Sequence, residues 1–120
     1  MSSQEAGGTR IAIPASGEGE DRAPARRFGR CSHFAIFDSA SESWTFLPNP
    51  ARDQERGAGV AAAQSMVAEG VDVVIGPRLG PNAAGVLEEA AIAVVPLPGG
   101  EAATVSRVLD VWLRARTREI

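Results

Sequence analysis

Two side chains with metal-binding chemistry lie two positions apart in the stretch FGRCSHFAIFD: Cys31, the only cysteine, and His33, the only histidine. Thiolate sulfur and imidazole nitrogen are both ligands that iron accepts. Because alternate residues of a strand share a face, we predict that Cys31 and His33 point the same way where a strand begins. The alternative is a buried structural thiol beside a polar residue at a strand edge.

Four arginines occur within nine residues just before this cysteine: Arg22, Arg26, Arg27 and Arg30. Guanidinium groups form charge-assisted, bidentate hydrogen bonds, so this local basic patch suits an anionic cofactor or the acidic surface of a partner. The alternative is a solvated loop whose arginines pair with the nearby acids Glu18, Glu20 and Asp21.

Two glycine-containing turns each lead into a predicted helix. Gly57 and Gly59 open the first helix, and GPRLGPN (residues 76–82) joins a strand to the second. Open α/β sheets bind ligands at such strand ends, where helix N-termini present free N–H groups to anions, and Arg78 is the side chain of this turn suited to binding. Tight turns and close helix packing are the alternative. Neither turn matches a P-loop or a GxGxxG pattern, so we expect no nucleotide.

Hydrophobic periodicity predicts elements in the order β-β-β-α-β-α-β-α. The predicted strands are residues 10–13, closed by Pro14, then 33–38, 43–49, 71–76 and 92–97. The predicted helices run from Gly57 to Gly70, from 83 to 91 and from 101 to 117. In the turn before the second helix, Pro81 suits the first helical position. The two last strands are nearly continuous apolar runs, which is typical of buried parallel strands.

The order of these elements predicts how they pack. A hairpin followed by βαβα units favours a mixed sheet with helices on both faces. In the first helix, the residues predicted to face the core are Val60, Ala63, Met66 and Val67. Residues 15–32 form a long connection, and connections of this length in compact domains usually have a function.

Length, charge and composition narrow the class of protein. The 120 residues predict a flexible tail at 1–9 and a single domain at 10–120. A net charge of −3 argues against nucleic-acid binding, which needs a basic surface. The sequence shows no membrane-length apolar run and no signal-peptide core, and its single cysteine forms no internal disulfide, so the cytoplasm is expected. A monomer, or a weak homodimer through an edge strand with Trp44 and Phe46, is the expected state.

Five segments in this order and spacing carry a family resemblance: RIAIPASG, FGRCSHFAIFD, NP…GAGVAAAQ, GVDVVIGPRLGPNAAGVL and IAVVPLPG. Over about residues 10–110 the chain resembles the dinitrogenase iron–molybdenum cofactor biosynthesis family of nitrogenase accessory proteins. The resemblance implies a three-layer α/β domain of ribonuclease-H-like topology, with a five-strand mixed sheet in the order 3-2-1-4-5 and strand 2 antiparallel. A ribonuclease-H-type site needs a carboxylate on the first strand to hold its metals, and residues 10–14 contain none.

The resemblance also implies a function without catalysis. It predicts a non-enzymatic protein that binds or carries an iron–sulfur or iron–molybdenum cluster or its precursor, held transiently, with cluster-assembly or nitrogenase-type proteins as partners. The residues it assigns to cofactor binding are Arg27, Phe28, Gly29, Arg30, Cys31, His33, Gly57, Gly59, Arg78 and Gly80, with Cys31 and His33 as metal ligands. One cysteine cannot supply the four thiolates of a common iron–sulfur site. A cluster would therefore need ligands from outside, ligands from a second subunit, or inorganic ligands that it already carries.

The alternative function follows from a departure from the family pattern. Many members carry a histidine directly before Phe-Gly, where this chain has Arg27. Some also carry histidines in the loop that corresponds to residues 53–56. The alternative is therefore a protein-interaction or regulatory module of the same fold that has lost cluster binding.

Overall fold

The computed structural model describes residues 8–99 and 103–118. Within them, eight elements follow one another: β1 (Arg10–Ala15), β2 (His33–Asp38), β3 (Ser43–Pro48), α1 (Ala58–Ala68), β4 (Val73–Gly76), α2 (Pro81–Glu89), β5 (Ala93–Pro96) and α3 (Val105–Arg118). Of the predicted tail, residues 1–7 lie outside the described residues. No described helix has the length and apolar character needed to cross a membrane.

The strands form one mixed sheet in the order β3-β2-β1-β4-β5. β2 is antiparallel to both of its neighbours, whereas β4 is parallel to β1 and to β5. This confirms the predicted three-layer α/β fold and its strand order. The carboxyl ends of β1, β4 and β5 therefore share one edge of the sheet with the start of β2.

Alternating side chains divide the core into two layers. In β1, Ala12 faces α1 and α2, whereas Ile11 and Ile13 face α3. Phe34 and Met66 are fully buried in the layer beneath α1 and α2. Burying a side chain of this size stabilises the fold by about 2 kcal/mol.

β1 continues to Ala15, beyond the end predicted at Pro14. The backbone N–H and C=O of one strand residue point to the same side, and the carbonyl of Pro14 accepts a hydrogen bond from the N–H of Ala25 (2.7 Å). Pro14 therefore turns its missing donor toward the following loop rather than toward β2. The proline costs no hydrogen bond of the β1–β2 ladder, so it does not end the strand.

Two predictions of burial were wrong. Val67 is 43% exposed, because α1 packs through small residues and buries Ala62 in its place. β5 is the outer strand of the sheet, and Val94 in it is also 43% exposed. A short apolar run fits either a central strand or an edge strand, so sequence alone did not distinguish them.

The predicted helix ends were displaced at α2 and α3. Gly70 ends the α1 segment as predicted, at φ 68°, with the N–H of Val71 bonded to the carbonyl of Met66. α2 begins at Pro81, the residue predicted to suit the first helical position, and ends at Glu89 rather than residue 91. α3 begins at Val105, where the hydroxyl of Thr104 accepts a hydrogen bond from the N–H of Arg107 (3.2 Å) as an N-cap. Of the residues predicted to start this helix, 101 and 102 lie outside the described part.

Candidate functional site

A cleft of about 460 Å³ opens at the carboxyl end of β1, between the loop that precedes β2 and the loop that follows β3. Its polar and charged lining consists of Ser16, Arg26, Arg27, Arg30, Ser32 and Arg52, and Cys31 also contributes to the wall. We refer to it as the arginine cleft. It brings together Arg27, Arg30 and Cys31 of the predicted site with Arg26 of the predicted basic patch, and it adds Arg52.

The long loop between β1 and β2 is held in place by backbone hydrogen bonds. It turns back along β1, where the N–H of Ser16 bonds to the carbonyl of Ala23 (2.9 Å). Farther along, the carbonyl of Arg22 accepts a hydrogen bond from the N–H of Val105 (2.8 Å), and that of Glu20 accepts one from Ser106 (2.9 Å). The loop therefore satisfies free N–H groups of the first turn of α3, and its arginines start from a fixed backbone.

The arginines of the cleft have no carboxylate partner in the described part of the chain. The two ion pairs found there both belong to Arg10, which lies at the other end of β1. The alternative in which the loop arginines pair with Glu18, Glu20 and Asp21 is therefore not observed among these residues. Four guanidinium groups around one concave surface make the cleft strongly positive.

Arg30 extends from the loop before β2 to the loop after β3. Its Nη1 donates hydrogen bonds to the backbone carbonyls of Arg52 (2.9 Å) and Gln54, and its Nη2 approaches the carbonyl of Glu55 (3.4 Å). The acceptors are neutral, so the positive charge of Arg30 is not cancelled. One side chain thus joins the two walls of the cleft.

Asn49 connects the same two loops from inside the protein. It is 6% exposed, and its Nδ2 donates hydrogen bonds to the carbonyls of Gly29 (3.1 Å) and Cys31 (3.0 Å). Its Oδ1 accepts a hydrogen bond from the N–H of Ala51 (3.0 Å). The Nδ2 of this buried amide therefore fixes the loop before β2, and its Oδ1 shapes the turn of its own loop, so that one side chain stabilises both walls.

Sequence reasoning missed Asn49 and Arg52, although a signal for them existed. The register of the β2–β3 hairpin places His33 opposite Pro48. The chain that leaves β3 must therefore lie beside the chain that enters β2. Applying this pairing to the predicted hairpin would have brought Asn49 and the residues after it next to Cys31.

The thiol of Cys31 lies at the inner end of the cleft and is 3% exposed. Burial raises the pKa of this thiol from 9.0 to about 12, although a backbone hydrogen bond to Ala15, the Asn49 amide and the charge of Arg52 act in the opposite direction. The Asn49 Nδ2 is 3.7 Å from Sγ. Because a metal binds the thiolate and not the thiol, Cys31 in this environment is a poor ligand.

His33 is separated from Cys31, contrary to the prediction that they share a face. Cys31 packs with Phe34 in the layer beneath α1 and α2, whereas the alternation of β2 places His33 on the side of Ala35, which faces α3. The reason is that β2 begins only at His33, so strand alternation does not reach back to Cys31. The ring Nδ1 of His33 lies 3.1 Å from the hydroxyl of Ser32. Among the described residues, no three His, Cys, Asp or Glu side chains form a group that could hold a metal ion.

The remaining predicted residues have structural contacts of their own. Phe28 is buried against Phe34, with ring centroids 5.4 Å apart. A Cβ atom on Gly29 would lie 2.7 Å from the backbone N of Gly59, so the two glycines allow the loop and α1 to touch. Gly57 precedes α1 with φ 71°, a conformation that favours glycine.

Arg78 and Gly80 lie apart from the arginine cleft. Gly80 is the N-cap residue of α2. Arg78 lines a second, mainly apolar cleft of about 380 Å³ with Leu79, Val94 and Pro96, at the ends of β4 and β5. The structure therefore does not place Arg78 around the same cavity as Cys31.

Comparisons with known proteins agree with this fold. A family model described as dinitrogenase iron-molybdenum cofactor matches residues 9–114. The apo form of the orange protein from Desulfovibrio gigas is 32% identical, with a TM-score of 0.82 over 90% of this chain and 89% of that one. A NifB-like protein of the DUF35 family from Thermotoga is 30% identical, with a TM-score of 0.73 over 90% of each chain. No curated protein sequence matched the chain.

Proposed function

Because the chain belongs to the dinitrogenase iron-molybdenum cofactor family, we propose that it binds and carries an anionic metal–sulfur cluster, or a precursor of one, in the arginine cleft. The observation that carries the proposal is the lining of that cleft: four arginines with no carboxylate against them in the described part of the chain. Guanidinium groups donate charge-assisted hydrogen bonds in a fixed fork, which suits the sulfide or oxo ligands on the outside of such a cluster.

In this proposal the cargo brings its own metal ligands. Cys31 is protonated at neutral pH because burial raises its pKa to about 12, and His33 lies on the other side of β2. The protein then supplies charge, hydrogen bonds and a closed wall rather than a set of metal bonds. Direct ligation by Cys31 remains an alternative that requires the thiol to lose its proton and become accessible.

We propose a carrier rather than an enzyme. Covalent catalysis needs an activated nucleophile, and the thiol in this cleft is held in its neutral form. A reversible carrier needs a cleft that is already formed, and backbone bonds hold both walls of this one. A free cysteine also fits the reducing cytoplasm, where we expect cluster-assembly or nitrogenase-type proteins to load and unload it.

The test is anaerobic loading of the purified protein with tetrathiomolybdate and, separately, with a preassembled iron–sulfur cluster. After desalting, metal content and the visible spectrum report what is retained. We expect retention by the wild-type protein and by Cys31→Ala, and its loss in the Arg26→Ala/Arg27→Ala double variant. The Arg56→Ala/Arg114→Ala double variant is the matched control, because it removes the same two charges from exposed residues outside the cleft lining. Retention by the Arg26→Ala/Arg27→Ala variant would contradict the proposal, and loss in Cys31→Ala would favour the thiol as a ligand.

A second function is favoured by the scarcity of side chains that could act as metal ligands in the described part of the chain. Among the described residues no three His, Cys, Asp or Glu side chains are grouped to hold a metal ion, and Arg27 occupies the position where many family members have histidine. A protein-interaction module that has lost cluster binding fits that observation. It would retain neither probe, and a partner captured from a lysate would remain bound in the presence of a chelator and in Cys31→Ala.

A further inference from the structure

The segment that carries Arg52 has little to hold it in place besides polar contacts. All side chains from Arg52 to Arg56 are exposed, so no apolar packing fixes them. Within the segment, the N–H of Arg52 bonds to the carbonyl of Asn49 (3.3 Å) and that of Gln54 to the carbonyl of Ala51 (3.1 Å). Such a segment is expected to open easily unless another element holds it.

Arg30 is that element. Three backbone carbonyls, of Arg52, Gln54 and Glu55, face its guanidinium group, and its two terminal nitrogens reach them. The internal turns of the segment use the N–H groups of Arg52 and Gln54 and the carbonyls of Asn49 and Ala51, so the three carbonyls that face Arg30 take no part in them. A planar fork with donors in fixed directions can satisfy several carbonyls at once, which a single ammonium group cannot.

We infer that Arg30 is a positioning residue that holds Arg52 in the arginine cleft, and that Arg52 contacts the bound anion. The inference rests on the proposed function for the anion and on the Arg30 hydrogen bonds for the positioning. Arg52 lines the cleft and its charge reaches the thiol at the inner end, lowering the pKa of Cys31 against the effect of burial. Arg30 therefore acts mainly through the position of another arginine.

A double-mutant cycle separates positioning from direct contact. Arg30→Lys keeps the charge but loses the fork, and Arg52→Ala removes the proposed contact. Binding of tetrathiomolybdate is followed anaerobically by visible absorbance. We expect Arg52→Ala to weaken binding about tenfold, as for a charge-assisted hydrogen bond. Arg30→Lys is expected to weaken binding about fivefold in the wild-type background and not at all in the Arg52→Ala background. Equal losses in the two backgrounds, or none in the first, would overturn the inference.

Limited proteolysis tests the positioning even if no anion binds. Trypsin cleaves after Arg52 and Arg56, and both Arg30→Lys and Arg30→Ala are expected to raise the initial rate of cleavage there several-fold. Arg56→Lys keeps its cleavage site and its charge and is the control in both assays. If the wild type binds neither tetrathiomolybdate nor an iron–sulfur cluster, the proposed function fails. If cleavage after Arg52 is unchanged in both Arg30 variants, the positioning role fails independently.

Discussion

The two ends of β1 use arginine in opposite ways. At the amino end, Arg10 lies among acids: its guanidinium is 3.5 Å from a carboxylate oxygen of Asp38 and 3.9 Å from one of Glu69, and its backbone N–H donates to Asp72 (2.8 Å). At the carboxyl end, four guanidinium groups surround a cleft, and no carboxylate pairs with them in the described part of the chain.

The topology of the sheet explains how the charge of Arg10 is balanced at the amino end of β1. β2 runs antiparallel to β1 and brings Asp38 opposite Arg10, while the turn before β4 brings Asp72 to the backbone of Arg10. The guanidinium also donates through Nε to the carbonyl of Glu69 (3.0 Å). This end is complete within the chain. The loops at the carboxyl end are also held by backbone hydrogen bonds, but the positive charge there is not balanced. This difference in charge is the physical reason to expect an anion there.

The largest expected effect is on stability at alkaline pH, and it tests whether the inner end of the cleft excludes negative charge. The chain has no lysine and no tyrosine, so Cys31 is the side chain that titrates between pH 9 and 12. Its pKa is raised from 9.0 to about 12 in the folded protein, so the unfolded chain releases this proton first. The contribution of the neutral thiol to the free energy of unfolding is therefore complete below pH 9. Above pH 9 the free energy of unfolding falls by about 1.4 kcal/mol per pH unit, and the total loss is about 4 kcal/mol near pH 12.

Urea unfolding at a series of pH values measures this loss, and thiolate absorbance gives the folded pKa directly. Cys31→Ala is the control, because its free energy of unfolding should lack this slope above pH 9. Parallel pH profiles for the two proteins would mean that Cys31 is not held neutral in the folded state.

Reversing a charge in the cleft should remove the difference between the two ends. Arg27→Glu places among the guanidinium groups the kind of acid that Arg10 already has. We expect the affinity for tetrathiomolybdate to fall about a hundredfold, because one attraction is lost and one repulsion is gained. Arg114→Glu, an equal change of net charge on an exposed residue of α3 outside the cleft, should alter affinity less than twofold at moderate salt. Similar losses in both variants would point to net charge rather than to the cleft.

The close backbone contact between the loop before β2 and α1 should be sensitive to substitution. Gly29→Ala would place a Cβ atom 2.7 Å from N and 2.8 Å from Cα of Gly59, both backbone atoms that cannot move independently. We expect a loss of about 2 kcal/mol in the free energy of unfolding. Gly85→Ala is the matched control in α2, where an added Cβ meets no atom within 4 Å, and it should stabilise the protein by about 0.5–1 kcal/mol. Chemical denaturation of both variants measures the difference, and equal behaviour would exclude a steric origin.

The sequence predicted the sheet well because its signals are local and repeated. Ile11 and Ile13 alternate with Ala12 between the two layers of the core, and a hairpin followed by βα units predicted a mixed sheet. The order of the strands was implied by the family resemblance, and the structure confirms it. Burial at the margins was harder to predict. Val67 and Val94 are apolar in sequence, but whether a neighbour covers them depends on how closely α1 packs and on where the sheet ends.

The grouping of residues in the arginine cleft was predicted only where these residues are close in sequence. Arg27, Arg30 and Cys31 are close in sequence, so their grouping in one cleft was visible. Arg52 comes from the far side of a hairpin and was not recognised. His33 was assigned to the face of Cys31 by a strand rule that applies only from His33 onward. Local patterns thus identified the arginines of the loop before β2. The other residues of the arginine cleft could be identified only from the register between β2 and β3.

The smallest expected effect is at the balanced end of β1. Arg10→Ala removes both ion pairs and leaves Asp38 and Glu69 near each other without a cation. The side chain of Arg10 is 24% exposed, so solvent screens part of the interaction, and we expect a loss of about 1 kcal/mol that shrinks in high salt. Thermal and urea unfolding at low and high salt measure it. The affinity for tetrathiomolybdate should stay within a factor of two, because this arginine is already neutralised and lies at the opposite end of the strand. A loss of affinity as large as that of Arg52→Ala would mean that the whole molecule, and not the arginine cleft, attracts the anion.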